Sequence, residues 1–370
     1  VFGDWSSDVC SSDLFYFIAP QIFDFIMEQP PAFPPGVSVV ICTFNGAERI
    51  PRVIDHLLKQ QGTEDIAWEI VVVDNGSADD TAATAYRSHG GAEVPLTVVE
   101  EPRQGVAHAR MKGVLTARYE YISFIDDDNF VTPGWVVEVY RLLNGNPVIG
   151  MCGGLNEAAF EASPPVWFQS VKGGYAVGAQ GDRSGDVTLS RGYLHGAGLS
   201  FRKSVFVRLL DAGFCFHTIG RSGRKLSAGE DAELTMGFMA AGYRLWYSDQ
   251  LKLTHYMPAG RMEWDYARRL FRGLGESEFL LNLYRTALRR ESFPLMKSYG
   301  VLAGYAILYC GWRMATPFSN HIGNPRYLSY LARKYYILQA LRSMTQARTI
   351  YREISTFCAR AAMMDKESLL

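Results

Sequence analysis

Three short apolar runs, each ending in a cluster of polar residues, restrict this chain more than any other feature. Val37–Cys42 (VSVVIC), Ile70–Val73 (IVVV) and Tyr121–Ile125 (YISFI) are continuous, largely β-branched stretches. Such runs form strands buried on both faces. Helical spacing fills the intervals. Ile50, Val53, Ile54, Leu57 and Leu58 recur as one face of a helix, with Pro51 suited to its first turn. Ser77, with Asp80 three residues on, signals the cap of a second helix. A third helix is expected over 105–119, after a strand at Leu96–Val99. Pro133 opens a fourth with Trp135, Val139 and Leu142 on one face, and a strand over Val148–Cys152 follows. This alternation predicts an α/β fold with a mostly parallel sheet covered by helices on both faces. Ligands bind such sheets beyond the C-terminal strand ends. The places to look are therefore Thr43–Asn45, Asp74–Ser77 and Asp126–Asn129.

Composition narrows the function classes. The 370 residues carry 37 Lys+Arg against 38 Asp+Glu, with 48% hydrophobic content. That balance excludes a disordered or fibrous chain and a nucleic-acid binder acting through bulk positive charge. The six cysteines are scattered without a C-x-x-C pair, so neither a disulfide framework nor a cysteine zinc site is indicated. A reducing cytosol follows as the expected compartment. The balance conceals an asymmetry: Arg285–Arg360 holds 12 basic and 2 acidic residues, net +10, which leaves −11 for the remainder. Residues 1–26 are expected to be a non-native or disordered leader, since Val1–Leu14 resembles translated adapter read-through. Residues 27–290 are expected to form the main domain, and 291–370 a basic, aromatic helical region. Within the latter, Ser298–Trp312 is uncharged but shorter than the ~20 residues of a membrane span. Arg326–Arg352 mixes aromatic and basic residues. Residues 298–352 could make peripheral membrane contact, or form a helical cover over the site.

The polar clusters carry the chemistry. Asp126, Asp127 and Asp128 at the mouth of a buried strand repel one another unless a cation is present. Alternation points Asp126 and Asp128 one way and Asp127 the other. Oxygen ligands so spaced suit Mg²⁺ or Mn²⁺ with diphosphate oxygens completing the shell; the bland alternative is a solvated acidic turn. Asp74 can accept a hydrogen bond from a base or ribose, or cap the next helix. Glu230 and Asp231 open a helix, where acids are favourable in any case; a carboxylate held there can also serve as a base toward a sugar hydroxyl. His255 is a candidate metal ligand beside a structural alternative. His195, in Tyr193-Leu194-His195-Gly196-Ala197-Gly198, is a weaker candidate whose glycines would let an acceptor approach the backbone.

Taken in order, SVVICTFNGAERI, IVVVDNGSADDT, PRQGVAHARMKG, YISFIDDDN, HGAGLSFRKSVF and GEDAELTMGFMAAGYRLWY resemble the family 2 glycosyltransferases, over Val37 to about Gly273. The resemblance implies the GT-A nucleotide-sugar-binding fold and an inverting transfer from a nucleotide-diphosphate sugar to a saccharide or lipid-linked acceptor. It implies that Thr43, Asn45, Asp74, Arg110, Asp126 and Asp127 meet the nucleotide. Asp128, Asp126 and His255 would hold the metal, with Asp231 as general base and Glu230 beside it. A role in surface or extracellular polysaccharide synthesis at the cytoplasmic face of the membrane follows from the same source. Two departures matter. The usual Asp-Asp-Gly-Ser is Asp74-Asn75-Gly76-Ser77 here. The Q-x-x-R-W signature of processive synthases is absent, the nearest stretch being Arg268–Gly273, which favours single-sugar transfer. Nucleotidyl transfer and an inactive nucleotide-sugar-binding module are the competing readings; Thr43-Phe44-Asn45-Gly46 is a poor phosphate loop for the former.

Overall fold

The computed structural model describes residues 33–218, 220–222, 225–226, 228–293, 304, 307, 310–311 and 322–364. The leader 1–26 and most of the apolar segment 298–312 lie outside them. The first half alternates as expected: β1 (Val37–Thr43), α1 (Ile50–Leu58), β2 (Trp68–Asp74), α2 (Thr81–His89), β3 (Leu96–Glu100), α3 (Val106–Thr116) and β4 (Tyr121–Asp126). There follow β5 (Asn129–Val131), α4 (Trp135–Gly145), β6 (Ile149–Phe160), β7 (Gly185–Asp186), β8 (Ser200–Arg202), α5 (Lys203–Asp211), β9 (Arg221–Ser222) and β10 (Lys225–Leu226). The chain continues through α6 (Glu230–Ala240), β11 (Arg244–Met257), α7 (Trp264–Leu288), α8 (Pro325–Arg342) and α9 (Ala347–Ala361).

Among the described residues, nine strands form one sheet in the order β3-β2-β1-β4-β8-β6-β11-β5, with β7 added against β11. β1 to β4 are mutually parallel, β8 runs against both its neighbours, and β6 and β11 are parallel to each other. The long strands therefore share one carboxyl edge. Sequence order reverses at β1, flanked by β2 and β4. Register there sets Thr43 level with Asp74, and Cys42 level with Asp126. This is where a parallel sheet opens a crevice for ligands.

Burial follows the period of two. Val37, Val39 and Ile41 pack with Ile50, Val53 and Ile54 of α1 on one face, while Val40 faces α3 and Val114 on the other. Two sequence expectations need correction. Ser77 does not cap α2, which starts at Thr81; its Oγ instead accepts from the Asn45 backbone N–H at 2.9 Å, joining two loops of the carboxyl edge. The strand expected to end at Cys152 runs on to Phe160. Gly154 explains this: a Cβ there would lie 1.8 Å from the Leu251 carbonyl, so only glycine lets β6 lie so close to β11. Cys42, Cys152, Cys310 and Cys358 are free.

The carboxyl-terminal helices belong to the body of the fold. α8 packs along α7, with Asn282 donating to the Tyr336 hydroxyl at 3.1 Å. α9 buries Tyr351, Ile354, Phe357 and Cys358 in the same cluster as Phe214 and Phe238. Among the described residues no helix is long and apolar enough to cross a membrane. His217 ties α9 to α6, lying 3.6 Å from both Glu233 and Glu353. Burial opposes charge on this imidazole, yet the two carboxylates outweigh it and push its pKa up to about 9.

The sign of the pH effect follows. A raised folded-state pKa contributes stability that is complete below the unfolded value of about 6.5 and is lost as pH rises toward 9. Chemical denaturation should show wild type losing at most about 3 kcal/mol more than His217→Gln across that interval. Parallel pH profiles for the two proteins would contradict the charged clamp.

Candidate active site

A cavity of about 700 Å³ opens at the carboxyl edge. One wall is polar and comes from strand ends: Thr43, Asn75 and Asp126–Asp128, with Arg110 from α3 and Glu230 and Asp231 from α6. Another wall comes from α7, through Leu270, Phe271, Leu274 and Leu281 together with Ser277, Glu278 and Arg285, with Ser329 of α8 beyond.

Each of the three consecutive carboxylates has its own guanidinium. Arg110 Nη2 donates to Asp126 at 3.4 Å. Arg49 donates to Asp127 through Nε at 3.1 Å and Nη2 at 2.8 Å, and Thr43 Oγ1 adds a bond at 2.6 Å. Arg261 Nη2 donates to Asp128 at 2.5 Å. The repulsion that the sequence seemed to assign to a metal is thus met first by arginines. Burial still raises the Asp127 pKa, against the pull of Arg49 and Thr43.

Arg110 joins the two halves of the polar wall. Its Nη1 reaches Glu230 at 3.4 Å while Nη2 holds Asp126. Burial works against its charge, but Asp126 and Glu230, helped by Asp231, outweigh it and raise its pKa. The start of α6 is fixed from two further sides. Asp231 Oδ2 accepts from the Gly196 N–H at 2.8 Å and Oδ1 from the Ala232 N–H at 2.8 Å; Ser277 of α7 donates to the Ala228 carbonyl. A Cβ at Gly196 would lie 2.7 Å from Arg110 Nη2 and 3.2 Å from the Asp231 Cβ. The glycine therefore admits the chain's own Arg110 and Asp231. Its neighbour His195 accepts from Arg191 at 2.9 Å. Burial first, then Arg191, pushes the His195 pKa down to about 3, so the ring stays neutral.

The remaining sequence candidates divide. Thr43 lines the cavity. Asn45, in the left-handed region at φ 48°, accepts from Ala78 N–H at 2.8 Å, and Asp74 accepts from Ser77 N–H at 2.9 Å. Both brace the loops beside the cavity, and Asn75 lines it instead. Asn75 also spans neighbouring loops, donating to the Glu101 and Arg103 carbonyls and accepting from Gly105.

β5 delivers His255 to the aspartates. His255 pairs with Asn129 across β5 and β11, and Tyr256 N–H donates to the Asp128 carbonyl at 2.8 Å. His255 Nε2 then lies 3.5 Å from Asp128 Oδ1. Neighbouring ligands of an octahedral Mg²⁺ or Mn²⁺ stand about 3 Å apart, a spacing this pair approaches, with Arg261 bonded to both groups here. Asp126 is committed to Arg110, and among the described residues no group of three or more His, Cys, Asp or Glu is arranged around one metal position. Donor oxygens and water would have to complete the shell. Sequence reading missed Arg49 and Arg261. Arg49 lies within the SVVICTFNGAERI stretch without having been singled out there; Arg261 is marked only by following His255 closely, on the one-turn 3₁₀ helix after Pro258.

Residues 38–207 match the profile described as Glycosyl transferase family 2. Similar curated proteins include the succinoglycan biosynthesis proteins ExoO and ExoU of Rhizobium meliloti, 36% and 33% identical, each match covering 28% of this chain and 29% of theirs. The dolichyl-phosphate beta-glucosyltransferase of Drosophila melanogaster is 32% identical over 25% of this chain and 30% of its own. The chain spans less than half the length of the curated relatives it matches. The solved structure of S. aureus TarS 1–349 overlaps 84% of this chain and 92% of its own, at TM-score 0.46 and 15% identity.

Removing the bridge tests its place in the fold. Arg110→Met leaves Asp126 and Glu230 without their shared cation and should cost about 3 kcal/mol of unfolding free energy. Adding Glu230→Gln should return part of that. Equal stability of Arg110→Met and wild type in urea would contradict the assignment.

Proposed function

We propose that this chain, whose residues 38–207 match the profile described as Glycosyl transferase family 2, transfers one sugar from a nucleotide-diphosphate sugar to a hydroxyl of a saccharide or lipid-linked acceptor, with inversion. The sheet is of the GT-A type. The observation that carries the reading is the convergence of Asp126–Asp128 with Glu230 and Asp231 on one cavity, where Arg110 bonds both Asp126 and Glu230.

Charge supports an anionic, cation-accompanied donor. Asp126, Asp127, Asp128, Glu230 and Asp231 face Arg49, Arg110 and Arg261, five acidic side chains against three basic ones. A diphosphate adds further negative charge and needs compensation. Asp128 and His255 would hold a divalent cation, Mg²⁺ or Mn²⁺, whose chemistry here is neutralisation of the leaving diphosphate. Thr43 and Asn75 face the nucleotide end of the cavity, with Asn45 and Asp74 holding the loops that shape it. Asp126, Asp127 and Arg110 set the charge around the ribose and diphosphate.

Asp231 is assigned as the base. Backbone N–H groups occupy one direction on each of its oxygens and fix its orientation. Its remaining lone pairs accept the acceptor's hydroxyl proton. The oxygen so released attacks the anomeric carbon, and the bond to the diphosphate breaks with its electron pair on the nucleoside diphosphate. Attack from the side opposite the leaving group inverts the anomeric centre. Glu230, held by Arg110, stands beside the base and acts on the acceptor side.

Residues 27–290 serve as the transferase unit and 291–370 as its carboxyl-terminal region, of which α8 reaches the acceptor end, where Ser329 lines the cavity. The similarity to two succinoglycan biosynthesis proteins supports a place in polysaccharide synthesis. The basic excess after Arg285 supports peripheral contact with the cytoplasmic face of a membrane.

A thermal-shift screen of nucleotide-sugars with Mn²⁺ should find a stabilising donor, and that donor with its acceptor should yield nucleoside diphosphate. Pyrophosphate as product would indicate nucleotidyl transfer, and binding without turnover an inactive module. Asp231→Asn should lower transfer at least a hundredfold while leaving donor affinity within a few fold. Full turnover by Asp231→Asn would remove it as the base.

A further inference from the structure

Arg261 lies where a cation would be expected. Its Nη2 meets Asp128 Oδ2 at 2.5 Å and its Nη1 meets His255 Nε2 at 3.0 Å. The two groups it touches are the pair assigned above to the divalent ion, and their facing atoms are 3.5 Å apart. All three side chains are largely enclosed, Asp128 and His255 each 5% exposed and Arg261 18%.

The tautomer of His255 sharpens the point. A guanidinium only donates, so Nε2 presents its lone pair to Arg261 and the ring proton resides on Nδ1. A metal would require that same lone pair. Nδ1 is buried with no hydrogen-bond partner, whereas a metal-bound histidine is ordinarily oriented from that side by a carboxylate or carbonyl. Here the ring is held through Arg261 and the sheet.

We propose that Arg261 and a divalent cation are alternative occupants of one seat between Asp128 and His255, so that cation binding is coupled to arrival of the donor's diphosphate. The inference rests on the assignment of Asp128 and His255 to the cation. Two cationic groups cannot share these two ligands, because both need the same oxygen and nitrogen atoms and repel each other at that range. Arg261 also lines the cavity, and its long side chain springs from a single turn anchored by the Tyr175 hydroxyl on its own carbonyl at 3.3 Å. An entering diphosphate offers the guanidinium a second, bidentate anion. Departure of Arg261 toward that anion vacates Asp128 and His255. By linkage, the nucleotide tightens the cation and the cation tightens the nucleotide by the same factor.

The test is Mn²⁺ binding to the full chain, read by electron paramagnetic resonance without nucleotide, and then with UDP, GDP or dTDP. Arg261→Met keeps length and removes charge. It should bind Mn²⁺ alone about tenfold or more tighter than wild type, and its gain on adding nucleotide should shrink correspondingly. Arg261→Lys, which retains the charge, should stay weak, which separates occupancy from any loosening of the turn. Adding Asp128→Asn to Arg261→Met should abolish the gain. Mn²⁺ affinity of Arg261→Met equal to or below wild type overturns the shared seat. If Asp128→Asn and His255→Gln still bind Mn²⁺ as wild type does, with and without nucleotide, the cation assignment itself falls.

Discussion

Carboxylates crowded at the end of a buried strand are tolerable only if positive charge stands within hydrogen-bond reach, and in this fold arginine supplies it. Arg49, Arg110 and Arg261 come from three distant parts of the chain, and each meets one member of the Asp126–Asp128 run. Arg110 matters most, because it also reaches Glu230 and so fastens the start of α6 to the end of β4. Taking one partner from a buried ion pair costs far more than the pair contributes, since the survivor is left charged in a poor solvent. The geometry of the polar wall is therefore over-determined, as a site that must hold charged groups at fixed separations requires.

The sheet provides the rest of the placement. Parallel β1, β2 and β4 bring Thr43, Asn75 and Asp126 to one edge, and β5 returns far enough to pair Asn129 with His255. The cavity is then lined by α7, through leucines and Phe271 with Glu278 and Arg285 among them, and reaches Ser329 of α8. A polar wall shaped by strand ends and a second wall shaped by helices suit a bipartite ligand set.

Much of this was legible in the residues. Continuous β-branched runs announced buried parallel strands, and the polar residues after each run marked the edge where ligands bind. The departures have local physical causes. The extension of β6 to Phe160 was not legible in the apolar run Val148–Cys152, because it passes through Gly154, where close approach of β11 demands glycine. Ser77 carries the composition of a helix cap but serves to join two loops. Asn45 and Asp74 lie at the expected strand ends, yet their side chains are spent on loop N–H groups. Arg49, though inside the SVVICTFNGAERI stretch, and Arg261, outside any such stretch, could not be paired with their carboxylates from sequence, because which cation reaches which carboxylate is decided by three-dimensional reach. The carboxyl-terminal helices were left open between a membrane-facing and a packed arrangement; α8 and α9 bury apolar faces against α7 and the core.

The account depends on a single location for the activated sugar: beside the β4 aspartates and within reach of the carboxylate that opens α6. A crystal structure of the chain with its stabilising nucleotide-sugar and Mn²⁺ measures that location directly. The account predicts the diphosphate against Asp128 and the anomeric carbon facing Asp231. A donor seated elsewhere, with Asp231 turned away from its sugar, would contradict it.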